Sequence, residues 1–530
     1  MRPPDHEDLT VNKADLIITS ARVWDGASLI VEALAMGGGR IMATGSNRQM
    51  MELAEGDTEI IDVGGRRVIP GLIDSHLHLV RAGRTRGKEV RWDDLDTLDD
   101  ALSALRDLAD ELGPGRWVGV IGGWHPNQFA ERRMPSRDDL DAALPDNPVF
   151  VQRAYAETSV NSRAMSEMGW SEEDAPEGRV TAPAAMAALR ARLSVTDLDE
   201  AMAGTRSLLR ELNRLGLTGA IDASGFGVTA DSYDAFFQLF AEGERGFRAR
   251  MLLGAANPGG EMEDIEQWVE TIELGGDDAF VRYLGAGEVL DYAAHDMEGL
   301  APKDITARVD ALRKASEYLA RHDWPVHLHS ILDSSISVLL DAWERLESDV
   351  AELRWAICHA DQIGSENLKR VRDLGVGITI QNGMSMRGID CAPTWSSNVL
   401  AQAPPMRTML DHGIPVAAGT DGTVACAYNP WRCIAWMVTG ESVDGAPPRV
   451  ESERLSRDEA LRLYTSASAW FSFEEDTRGT LRDGAHADLA VLSADPLSVG
   501  PADLADIESV LTVVSGEVVH STIERARLST

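Results

Sequence analysis

Through its middle the chain alternates short, almost wholly apolar runs with longer stretches of helical character. Eight of the short runs read as strands buried on both faces, because apolar residues fill consecutive positions instead of alternate ones. They end near His78, at Thr218 to Asp222, Arg248 to Leu253, Phe280 to Leu284, Trp324 to His329, Trp355 to His359, Val376 to Gln381 and Ile414 to Thr420. Strands alternating with helices in this way predict an α/β, TIM-type (β/α)8 barrel. One helix start is explicit: Ser456 and Glu459 form a capping box ahead of a helix from Ala460 to Trp470.

The two ends are patterned differently. Leu16 to Thr19, Arg22 to Trp24, Ala33 to Met36 and Arg40 to Ala43 (after the Gly37-Gly38-Gly39 turn) read as short strands, as do Ala487 to Leu492 and Val510 to Val514. Neither end has enough strands for a sandwich by itself, so residues 1–66 and 475–530 are expected to build one composite β-sandwich domain. Spacing then exposes an insertion. From His329 to His359 is 30 residues and from His359 to Asp421 is 62, about one and two strand–helix units. From His78 to His329 is 251, where four units need about 140. The surplus places an inserted subdomain at 80–195, over a barrel made of 67–79 and 196–474.

Composition narrows the partners. A net charge of −36 argues against nucleic acid or an anionic membrane surface as partner, since phosphates repel such a chain, and is otherwise the mark of a well-solvated acidic surface; the partner expected is a small-molecule substrate. No stretch is apolar for the length of a bilayer span, and Met1-Arg2-Pro3-Pro4-Asp5-His6 lacks a signal-peptide core, so a cytoplasmic protein is expected. Cys358, Cys391, Cys426 and Cys433 show no CxxC spacing and are expected as free thiols, Cys358 as a packing residue.

The candidate chemistry lies at the strand ends. In His76-Leu77-His78 the two imidazoles project from the same face of a strand. A lone HxH is a weak signal, and a single barrel histidine is more often a satisfied core residue. Here, however, His329, His359 and Asp421 each end a further apolar run, and the C-terminal ends of barrel strands converge on one mouth. Imidazole and carboxylate suit a divalent metal, zinc first among the candidates, with one or two ions per chain. Such an ion would lower the pKa of water to about 7. Asp421 could both coordinate it and pass a proton from the nucleophile to the leaving nitrogen. His329 and His359 would serve a second ion. His327 lies one inward step deeper than His329 and reads as a core or supporting residue.

With Asp15-Leu16-Ile17-Ile18, Pro70-Gly71-Leu72-Ile73-Asp74-Ser75-His76-Leu77-His78, Pro145-Asp146-Asn147-Pro148-Val149, Asn161-Ser162, Leu215-Gly216-Leu217-Thr218, Gly419-Thr420-Asp421, Ala487-Asp488-Leu489 and Asp495-Pro496-Leu497, nearly the whole chain resembles the amidohydrolase superfamily. Within it, the chain is similar to amidohydrolase family 3, the branch that includes N-substituted formamide deformylases. That resemblance implies a metal-dependent hydrolase acting on a non-peptide C–N bond (amide, formamide, lactam or carbamate), with a homodimer as the expected assembly.

Many members supply a carbamylated lysine from the fourth strand to bridge two metals. None of Lys13, Lys88, Lys303, Lys314 and Lys369 falls on a strand end here. Gly287-Glu288 instead resembles adenine-deaminase-like relatives and makes Glu288 the expected bridge. Gly122-Gly123-Trp124 matches a segment that implies a wall of the active site, with Trp124 as a substrate contact. A histidine common before Asn161-Ser162 is replaced by Tyr155-Ala156-Glu157, which leaves Tyr155 as a hydrogen-bond donor or a packing residue. Gln381 and Asn382 are candidates for orienting an amide, and Met384, Met386, Trp395 and Trp431 for an apolar pocket. Two other readings stay open: an aminohydrolase that deaminates a nitrogen heterocycle, and a catalytically silent metal-binding scaffold.

Overall fold

The computed structural model describes residues 13–26, 31–194, 197–226, 228–276, 278–296, 308–523 and 526–527. The hexapeptide from Met1 to His6, the expected boundary at 195–196 and Lys303 lie outside them. Eight parallel strands follow one another in sequence order: β1 (Leu72–Leu77), β2 (Leu217–Asp222), β3 (Arg248–Leu253), β4 (Val281–Glu288), β5 (Val326–Ser330), β6 (Ala356–His359), β7 (Gly377–Ile380) and β8 (Val416–Ala418). Helices alternate with them, giving the TIM-type barrel. Their side chains are buried on both faces, as uninterrupted apolar runs require.

The first and last strands meet without a ladder between them. Just past β8, Asp421 N–H donates to the His76 carbonyl at 2.9 Å and His78 N–H to the Gly422 carbonyl at 3.0 Å. The buried Asp74 carboxylate completes the seam, accepting from the His76 N–H (2.9 Å), the Thr420 N–H (3.1 Å) and Thr420 Oγ1 (2.6 Å). Gly419 is required there, because a Cβ would stand 2.4 Å from the His76 nitrogen.

Six helices position or support the residues at the barrel mouth and floor: α1 (Leu79–Thr85), α2 (Pro183–Leu193), α3 (Leu198–Arg214), α4 (Gly383–Cys391), α5 (Arg457–Leu463) and α6 (Ser466–Phe471). Helix α1 packs on α3 through two glycines; a Cβ on Gly204 would meet the Gly83 carbonyl oxygen at 2.3 Å. The helix expected from Ala460 to Trp470 is divided into α5 and α6. The capping box at Ser456 is present, but the Tyr464 carbonyl accepts from Ile73 N–H of β1 at 2.7 Å and so leaves the helical ladder. Phe471 at the end of α6 plugs the barrel floor, edge-on to His327 at 5.7 Å.

Residues from both ends of the chain share sheets. Strands Arg22–Val23, Arg67–Pro70, Leu489–Leu492, Ser509–Val514 and Glu517–Ser521 form one. Another holds Leu16–Thr19, Ala33–Gly37, Arg40–Gly45, Glu59–Asp62 and Ala526–Arg527. A buried ion pair ties this layer to the barrel floor, Arg248 to Asp488 beside the strand Leu489–Leu492 at 2.7 Å, and a second, Arg250 to Glu474 at 2.6 Å, braces the floor itself. Between α1 and α3, strands Val118–Val120, Val149–Arg153, Glu157–Val160 and Arg179–Val180 make a separate four-stranded sheet. All four cysteines are buried, and among the described residues none is joined in a disulfide. Among the described residues no helix is long and apolar enough to cross a membrane.

Candidate metal centre

Strand β4 runs further than its apolar run suggests, continuing through Gly285-Ala286-Gly287 so that Glu288 is its last residue. The glycines make this possible: a Cβ at Gly285 would lie 2.2 Å from the Pro325 carbonyl oxygen, so only a bare backbone passes. Glu288 thereby reaches the mouth alongside His76 (β1), His78 (just past β1), His329 (β5), His359 (end of β6) and Asp421 (past β8). Three residues at this rim adopt left-handed backbone: Ser224 at φ +68°, His359 at φ +75° and Asp421 at φ +54°. Such conformations are costly for non-glycine residues and cluster where side chains must be aimed.

The six side chains converge. Glu288 Oε1 lies 3.2 Å from His329 Nδ1, 3.5 Å from His359 Nε2 and 3.8 Å from His76 Nε2; its Oε2 is 3.8 Å from His78 Nε2. Asp421 Oδ1 is 3.1 Å from His78 Nε2 and 3.8 Å from His76 Nε2. Two overlapping sets have metal-ligand spacing, His76–His78–Asp421 and His76–Glu288–His359.

Hydrogen bonds behind the cluster fix which nitrogen each ring presents. His78 Nδ1 donates to the Ser224 carbonyl at 2.6 Å, leaving the Nε2 lone pair inward. His329 Nε2 donates to the Asp296 carbonyl at 2.8 Å, leaving Nδ1 inward. The inward nitrogens therefore face carboxylate oxygens, and each such pair calls for a cation between its members, either a proton on the ring or a metal ion on its lone pair. His76 Nε2 is buried with no hydrogen-bond partner at all. An orphaned buried group of this kind costs about 1–3 kcal/mol, and a metal ion would satisfy it. The donor set of imidazoles and carboxylates fits a first-row divalent ion.

The electrostatics agree. Burial takes His76 down to about 3, so it is neutral and ready to ligate. Burial would raise the Glu288 carboxyl, but the surrounding imidazoles, His78 foremost, hold it well below the usual range. Asp421 likewise stays low against burial because His78 hydrogen-bonds to it. Burial opposes a charged His329, yet Asp296 and Glu288 lift it to about 10. His327 is different: burial alone takes it to about 4, and neither ring nitrogen has a partner.

The other expected site residues divide. Tyr155 lines the small cavity over the cluster, together with Arg81, Phe226, His295 and Arg387. Trp124 does not. Gly122 and Gly123 press their backbone against Val424 and Ala427, which turns the indole inward onto Trp92 and Phe129, with Nε1–H donating to the Gln152 carbonyl at 2.9 Å. Gln381 and Asn382 also lie outside the cavity. Strand β7 ends at Ile380, and Asn382 opens α4 and faces a neighbouring cleft beside Ser385 and Thr439. Trp431 packs in the barrel core, bonded to the Leu215 carbonyl, and Met384, Met386 and Trp395 do not line the cavity either.

Arg81, Phe226, His295 and Arg387 line the cavity without having been expected there. His295 stacks on His329 at 3.7 Å, Phe226 stands edge-on to His295 at 4.6 Å, and Arg81 sits one helical turn beyond His78. For Arg81 the signal was available, since a helix must follow a barrel strand and its first turn lies at the mouth. Phe226 and His295 belong to loops without periodicity.

Comparison with known proteins places this constellation. Residues 59–520 match the family model described as Amidohydrolase family, and the chain belongs to that family. An N-substituted formamide deformylase of Arthrobacter pascens is 26% identical, covering 95% of this chain and 97% of that protein. The Bacillus subtilis protein YtcJ is 27% identical, with 92% and 96% covered. Among solved structures, an uncharacterized metal-dependent hydrolase from Pyrococcus furiosus superposes with a TM-score of 0.65 at 23% identity, covering 91% of this chain and all of that one.

Proposed function

We propose that this protein is a metal-dependent hydrolase of non-peptide C–N bonds, with amides and formamides as the first substrates to test. The observation that carries this reading is the convergence of four imidazoles and two carboxylates at the barrel mouth, with His76 Nε2 left unpartnered between Glu288 and Asp421. His76, His78 and Asp421 would hold one ion and His329 and His359 a second, with Glu288 as a ligand available to both. Zinc suits these ligands. A divalent ion in this place acidifies water and polarises a carbonyl oxygen.

The chain's own groups supply the remainder. Asp421, ionised, accepts the proton that water loses as it adds to the carbonyl carbon, then returns it to the nitrogen that leaves. Ser224 and Asp296 keep His78 and His329 in the required tautomers. Tyr155 stands at the cavity wall, where its hydroxyl can donate to a substrate carbonyl. The 26% identity with a formamide deformylase over nearly the whole chain supports placing formamides first.

The test is amine release from N-substituted formamides, amides, lactams and carbamates by metal-loaded protein. Metal content is measured alongside, for wild type and Glu288→Ala. The reading expects turnover, and about two ions falling toward one in the variant; one ion in both would remove the bridging role. Ammonia release from amino-heterocycles with every amide inert would replace this reading with a deaminase. No turnover of any kind would point to a silent scaffold.

A further inference from the structure

Beside the cavity over the metal ligands lies a cleft of about 200 Å³ walled by Arg81, Arg84 and Arg190 with Val80, Ile121 and Phe226. Among the described residues no acidic side chain lines it. In a chain with 86 acidic and 50 basic residues, that is an unusual concentration of one sign. Arg81 borders both spaces, and its Nε and Nη2 are buried with no hydrogen-bond partner. Arg190, from α2 of the inserted segment, donates to Gln152 Oε1 at 3.1 Å and lies 5.6 Å from the centre of the Tyr155 ring. Among the described residues neither arginine is ion-paired. A guanidinium buried without a counter-ion is costly, and the cost disappears when a ligand brings the anion. A planar carboxylate matches the guanidinium fork with two parallel N–H···O bonds.

We infer that this cleft binds the carboxylate of the substrate, so that the amide hydrolysed here carries an anionic group a few bonds from the scissile C–N bond. The inference rests on the amide-hydrolase reading above. The short separation follows from Gly225: a Cβ built there would touch both His78 Nδ1 (2.9 Å) and Arg81 Nη1 (3.5 Å). Val80, Ile121 and Phe226 supply an apolar wall for a hydrocarbon side chain. N-formyl and N-acyl derivatives of apolar amino acids have this combination of features.

The test compares N-formylphenylalanine with N-formyl-2-phenylethylamine, which differ only in the carboxylate. Wild type should favour the acid at least tenfold in kcat/KM, and Arg81→Gln should collapse that ratio, chiefly through KM. Arg81→Lys should restore part of it. In parallel, phenylacetate and phenylacetamide are titrated calorimetrically into the same metal-loaded proteins. Wild type should bind the anion at least tenfold more tightly than the amide, and Arg81→Gln should lose that margin. Arg190→Gln carries the same expectation if Arg81→Gln does not fold.

Equal turnover of the two formamides overturns the carboxylate subsite and leaves the amide-hydrolase reading standing. An anion affinity unchanged in the variants also overturns it, because the anion then sits on the metal. Inorganic phosphate binding more tightly than phenylacetate would overturn the carboxylate assignment. Inertness of both formamides counts against the amide-hydrolase reading, while the titration still decides the subsite.

Discussion

At Asp421 backbone and side chain make separate demands. Its φ of +54° suits asparagine better than most residues, so Asp421→Asn preserves the loop while removing the carboxylate. Turnover is expected to fall by about 10²–10⁴-fold, the usual worth of a general acid–base group, with a melting temperature close to that of wild type. A large loss of thermal stability in the same variant would instead assign the defect to folding. The positions of the five candidate ligands at ordinary strand ends were legible in the sequence because an apolar run followed by histidine or aspartate has one place to go in a barrel. Trp124 was misread because the sequence cannot show which way a chain turns after two glycines. Gln381 and Asn382 were misread because the strand stops one residue before them.

Between elements, the seam from β1 to β8 depends on Asp74 and Thr420. Thr420→Val removes the 2.6 Å hydroxyl bond to Asp74 with little change in shape. It should cost about 1–3 kcal/mol in denaturant unfolding, the range for a bond to a buried charged group. Gly285→Ala tests the passage of β4. Its new Cβ would meet the Pro325 carbonyl oxygen at 2.2 Å, and overpacking costs about 1–3 kcal/mol. Because Glu288 rides on the same strand, metal content per chain should drop as well, which elemental analysis would show. The order of strands was readable from periodicity and spacing. The extension of β4 to Glu288 was not, since glycine is a weak strand former and its value here lies in contacts with a distant proline. Nor was the break between α5 and α6, which exists because β1 takes the Tyr464 carbonyl.

For the molecule as a whole, acid and chelators should both loosen the fold. Burial, aided by Arg248, holds His486 at about 4 when folded against about 6.5 when unfolded. The unfolded chain therefore binds the extra proton between those values, and stability is lost as pH falls through that window. Melting temperatures measured from pH 7 to 4.5 should decline, and less steeply in His486→Gln. Chelation should lower the melting temperature at constant pH, and added zinc should restore it. Zinc at a hundred times its dissociation constant would return about 2.7 kcal/mol. The barrel seam also has a consequence for how the protein is made. His76 is synthesised early and Asp421 some 345 residues later, yet the two meet in one pair of backbone bonds at the mouth. The strand Arg67–Pro70, which leads directly into β1, pairs with Leu489–Leu492 near the other end of the chain. Until both partners have been made, the strand that carries His76 and His78 is open at the seam and at its approach. The candidate ligand set is complete in sequence at Asp421, but the approach to its first two histidines is held in a sheet only once Leu489–Leu492 has been made.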